Sequence, residues 1–183
     1  MHWRLSFIAA ELESIMRRHF FRNLILPFAF SPLLIAGAAL SAETSPLVEN
    51  VRAANARFAD VAAAVAEGYG PIPCASNAQG GAMGIHYVNG GYLKDGVTDI
   101  SKPEAVMYEP MAGGQLALVA VEYIAFKGPA ELEGHLFNFV SEPNRYGLDK
   151  FYELHVWAWK PNPTGHFADN NPNVSCDAML AAK

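Results

Sequence analysis

The stretch Phe151-Tyr-Glu-Leu-His-Val-Trp-Ala-Trp159 decides how the rest of the chain is read. It alternates Phe151, Glu153, His155, Trp157 and Trp159 with Tyr152, Leu154, Val156 and Ala158, and both sets are rich in β-forming residues. The pattern predicts a strand over 151–159 that is buried on both faces. Glu153 and His155 then share a face, and burying either group is costly unless it is paired or ligated. What satisfies them is the first functional question.

Working outward, three earlier stretches read as partners for that strand. Ala82 to Asn89 alternates Met83, Ile85 and Tyr87 with Gly84, His86 and Val88, and Asn89-Gly90-Gly91 turns the chain. Glu104 to Glu109 is a short strand halted by Pro110, and Ala112-Gly-Gly-Gln115 suits a hairpin turn. Leu116 to Phe126 is a long apolar run with Glu122 inside it. Gly128-Pro129 opens a short helix or loop through Phe139, and Ser141 to Lys150 is a polar lead into the last strand.

Before these strands lies one helix. Thr44-Ser45-Pro46 opens it, Gly68 closes it, and Leu47, Val51, Ala54, Phe58, Val61 and Val65 form its apolar stripe. The expected fold is therefore α+β, an N-terminal amphipathic helix on a mainly antiparallel sheet of four to five strands, or a sheet curled into a half-barrel.

Three of the strands each place one polar group among apolar neighbours: His86, Glu122 and His155. Two imidazoles and a carboxylate on adjacent strands make a facial donor set for a divalent transition metal such as Zn, Cu, Fe or Mn. Glu109 is a further ligand or acid–base candidate, Glu153 an orienting carboxylate, and His135 and His166 lie in loop-like sequence able to reach the rim. The bland alternative is a His–Glu–His hydrogen-bond network inside a closed core, without any metal. No Ser-His-Asp arrangement or phosphate-cradling glycine loop is legible.

Residues 1–42 read as a cleaved export signal. Arg4, Arg17, Arg18 and Arg22 precede an uncharged apolar run from Leu24 to Leu40, with small residues at Ser41 and Ala42. Arg17-Arg18-His-Phe-Phe-Arg22 also resembles a twin-arginine motif. Residues 43–183 then form a single domain, periplasmic or extracellular, touching a membrane only through its signal. Cys74 and Cys176 both fall in this part, and in an exported protein they most simply form one disulfide. The chain is acidic, with a formal net charge of -5, and no basic patch interleaves with aromatics. Nucleic acid is thereby disfavoured as a partner, leaving a small molecule or a metal ion.

Several blocks also carry a resemblance: Gly81-Ala-Met-Gly-Ile-His-Tyr-Val-Asn89, Pro103 to Pro110, Leu118-Val-Ala-Val-Glu-Tyr123, and Leu154 to Trp159 continuing through Asn162-Pro163, Gly165, Phe167-Ala168 and Asn171-Pro172 to Cys176. Together they resemble a family of small exported, mainly bacterial proteins. The likeness implies export and an intact domain, and it transfers no catalytic role to any residue. Two readings follow: an exported metal-binding domain, or a non-enzymatic ligand-binding or structural protein of the cell envelope.

Overall fold

The computed structural model describes residues 45–78 and 80–180. The export signal read over 1–42 lies outside the described residues. The fold is α+β, built on an antiparallel sheet that is open at both edges and not closed into a barrel. Its strands are β1 (Tyr69–Pro71), β2 (Ala75–Ser76), β3 (Ala82–Asn89), β4 (Ala105–Pro110), β5 (Leu116–Ala125), β8 (Asn138–Val140) and β9 (Phe151–Val156). The spatial order is β1-β3-β4-β5-β9-β8, with β2 pairing beside β1 on β3. A separate hairpin joins β6 (Glu131–Leu132) to β7 (His135–Leu136).

One face of the sheet carries the main apolar core. Val106, Tyr108, Val121, Tyr123, Leu154 and Val156 pack there with Leu47, Val48, Val51 and Phe58. The tyrosines bury their rings and satisfy their hydroxyls on backbone carbonyls, Tyr108 on Phe58 at 2.8 Å and Tyr123 on Ile100 at 2.7 Å. They are core residues, as strand aromatics usually are.

The helical segment is broken rather than continuous. Helix α1 (Pro46–Asn55) passes through a 3-10 turn (Ala56–Ala59) to α2 (Val61–Ala66). Asp60 is the cause: its backbone is extended, and its carboxylate accepts from the Ala62 N–H at 2.9 Å, so it starts a new helix. The break rotates the apolar stripe, leaving Val65 56 % exposed where an unbroken helix would bury it. Gly68 ends the segment at φ 90°, a conformation that favours glycine.

Two other expectations change. The final strand stops at Val156 instead of Trp159, because β5 carries an extra residue in its pairing with β4 near Met107 and Tyr108. The Val119 carbonyl there accepts from the Trp159 and Lys160 N–H groups at 3.2 and 3.3 Å, drawing the chain out of the ladder. The segment 130–139, expected as helix or loop, is the β6–β7 hairpin and the start of edge strand β8. Its strands are too short to show alternation, so periodicity carried no signal.

The opposite face of the sheet holds the polar residues. Met107, Ala120 and Trp157 pack there with Ala82 and Val174, covering one half with the C-terminal tail. The disulfide Cys74–Cys176, Cα–Cα 5.9 Å, fastens that tail.

Candidate metal centre

Strand register brings three elements of the site to one face. His86 lies opposite Met107, Ala105 opposite Glu122, and Glu122 opposite His155. Residues opposite one another in an antiparallel pair project to the same side. Strands β3 and β5 are about 9.6 Å apart across β4, so His86 and Glu122 meet only by leaning over the strand between them. The small, fully buried Ala105 and Ala120 leave room for that approach. His86 Nε2 and Glu122 Oε2 come within 3.4 Å, and His155 Nε2 lies 3.9 Å from the same oxygen. The two imidazole rings meet edge to face with centroids 6.1 Å apart.

His86, Glu122 and His155 are all 0 % exposed, and Glu153 is 2 % exposed. Neither ring nitrogen of His86 makes a hydrogen bond among the described residues, nor does His155 Nδ1. Buried polar atoms of this kind are uncommon in native cores. Burial holds the His86 imidazole neutral, lowering its pKa to about 3 against the opposing pull of Glu122.

The other half of this face is covered by the loop between β8 and β9, which brings Arg145 and Tyr146. Arg145 Nη2 donates to Glu122 Oε1 and, at 2.6 Å, to Glu153 Oε2. The Tyr146 hydroxyl donates to Glu122 Oε2. Burial alone would raise the Glu122 carboxyl, but the Arg145 guanidinium and the two imidazoles outweigh it and bring its pKa to about 2. Glu153 goes the other way, to about 7, through burial and the neighbouring Glu122 charge. For His155, burial opposes protonation while Glu122, Asp169 and Glu153 favour it, with a net upward shift. Burial and Glu122 raise the Tyr146 hydroxyl well above its ordinary value, so it stays a donor.

The remaining sequence candidates go elsewhere. Glu109 is held by Lys160 at 2.6 Å and by the Ser175 N–H at 3.1 Å, anchoring the tail. His135 packs at a tilt against Phe167 with centroids 4.4 Å apart, and the His166 backbone carbonyl accepts from the Trp157 N–H. Arg145 and Tyr146 carry no signal in the sequence, and Asp169 opens an oxygen-rich stretch, Asp169-Asn-Asn171, that lacks the spacing of a calcium loop and reads as a turn. Each is a polar residue in a polar loop, and only the fold shows where its side chain ends.

The His86, Glu122 and His155 donor atoms lie within 4.8 Å of one another, so the cluster can hold a metal ion. No family model matches the chain, and neither curated proteins nor solved structures yield a match.

Proposed function

We propose that this domain binds a divalent transition metal through His86 Nε2, His155 Nε2 and Glu122 Oε2, and that it does so as an exported protein. The observation that carries the reading is the pair of fully buried imidazoles that converge on one carboxylate oxygen, His86 with neither nitrogen partnered and His155 Nε2 with only Arg145 Nη2 at 3.5 Å. Donors bound at 2.0–2.2 Å around a tetrahedral or trigonal ion stand about 3.3–3.8 Å apart. The 3.4 Å separation falls within that spacing, and the 3.9 Å one lies just beyond it and is too long for a hydrogen bond. Two nitrogens and one oxygen suit zinc, iron(II), manganese(II) or copper(II).

When bound, such an ion supplies Lewis acidity and an activated water. The chain's own part is positioning. Arg145 fixes one oxygen of Glu122 and leaves the other turned toward the imidazoles, and with Tyr146 it shields that oxygen from bulk water. A metal ion or a small molecule is the partner that fits. The disulfide is compatible with an oxidising location outside the cytoplasm. Among the described residues no helix is long and apolar enough to cross a membrane.

Arg145 also favours a second reading. It already donates to both buried carboxylates, Glu122 and Glu153, as a metal-free structural network would require. Metal analysis of untagged full-length protein separates the two. The metal reading expects a stoichiometric divalent ion, or its uptake by metal-free protein. Protein that carries no ion and takes none up leaves the network reading standing alone.

A further inference from the structure

His155 presents a nitrogen to each of two donor sets. Its Nε2 faces Glu122 and His86, while its Nδ1 lies 3.7 Å from Glu153 Oε1 and 3.7 Å from Asp169 Oδ1. These two distances are too long for a hydrogen bond. They fall within the donor-to-donor spacing expected around a single cation, about 3.3–3.8 Å. Nδ1 is fully buried and has no hydrogen-bond partner. The Glu153, His155 and Asp169 donor atoms all lie within 4.8 Å of one another.

Arg145 accounts for how both sets can exist side by side. It takes Oε1 of Glu122 and Oε2 of Glu153. Glu153 therefore keeps Oε1 for the Nδ1 side of the His155 ring, while Glu122 Oε2, which also accepts from the Tyr146 hydroxyl, faces the Nε2 side. Asp169 comes from the C-terminal tail and is half-exposed, so the outer set borders solvent, whereas the inner donors are wholly buried. Asn138 of β8 donates to Asp169 Oδ1 at 3.3 Å and holds it over the ring.

We propose that His155 is shared by two divalent-cation positions, the second formed by His155 Nδ1, Glu153 Oε1 and Asp169 Oδ1 and reached from solvent past Asp169; with both ions bound the ring is a bridging imidazolate, its remaining N–H proton released to solvent. The outer position stands on its own donors, and only the sharing rests on the inner site proposed above. One imidazole with two carboxylates is a harder donor set than the inner one, suited to zinc, manganese(II) or iron(II).

Equilibrium titration of metal-free, full-length protein with Co²⁺ tests this by stoichiometry. Wild type is expected to take two ions per chain, and Asp169→Asn and His86→Ala one each. Asn at position 169 still accepts from Asn138, and the site is half-exposed, so the variant is expected to fold. Glu153→Gln provides an independent removal of the same position and is expected to match Asp169→Asn. If wild type takes one ion that His86→Ala loses and both outer variants keep, the outer site is overturned and the inner one stands. If it takes one ion that the outer variants lose and His86→Ala keeps, the outer site stands and the inner reading falls. No Co²⁺ uptake by wild type overturns both.

Discussion

Arg145 sets the charge balance of the buried cluster at the scale of single residues. Its guanidinium pairs with both Glu122 and Glu153. Removing one partner of a buried pair leaves an uncompensated charge and typically costs 3–5 kcal/mol, so Arg145→Met is expected to lose about 4 kcal/mol in chelator at pH 7. The deficit should shrink at pH 4.5, where carboxyls freed of Arg145 take up protons. Urea denaturation at the two pH values checks this, and an equal deficit at both contradicts it. Glu104, which is not one of the donors, offers a second titration. It is 1 % exposed, accepts from the Ile124 N–H at 2.9 Å, and burial raises its pKa to about 8. The folded state then holds a proton that the unfolded chain releases near its ordinary value, so this contribution is complete at low pH and is lost as pH rises toward 8. The expected loss is on the order of 3 kcal/mol between pH 5 and 8. Glu104→Gln should flatten that part of the stability profile, and an unchanged slope would place its origin in another group.

At the scale of elements, the strands that build the site were the most legible part of the sequence. His86, Glu122 and His155 stood out because each interrupts an apolar alternation, and the register then sets them on one face. Asp60 was harder to read. A lone aspartate fits the polar side of a helix as well as an N-cap, and only packing decides. Edge strand β8 and its neighbouring hairpin leave no signal in the sequence because two- and three-residue strands have no period. The loop that carries Arg145 gave no signal either, since its partners lie 8 to 23 residues away in sequence. Gly84 shows how tightly β3 is seated beside β4. Its φ is 95°, and a Cβ there would stand 2.6 Å from the Tyr108 carbonyl oxygen. Gly84→Ala should therefore cost about 2 kcal/mol or more through strain and displaced pairing. Because His86 is two residues along the same strand, metal affinity should fall as well. Thermal unfolding with and without zinc measures both effects, and a neutral result would mean that β3 is free to shift.

For the molecule as a whole, two covers make the polar face of the sheet an interior. The C-terminal tail covers the apolar half and is fastened by Cys74–Cys176, while the β8–β9 loop covers the polar half. The disulfide joins residues 102 apart. A loop of that length is worth up to about 4.7 kcal/mol in chain entropy. The Cys74→Ala/Cys176→Ala double variant should lose about 2–4 kcal/mol by urea denaturation, and a loss near zero would show that the tail is held without it. The central claim is that the inner cluster is a metal centre. Metal-edge X-ray absorption of the full-length protein loaded with one equivalent of zinc tests it most directly. The account predicts a shell of nitrogen and oxygen at about 2.0–2.1 Å, with outer scattering from two imidazoles that falls to one in His86→Ala. A shell of oxygen alone, without imidazole scattering, would contradict it.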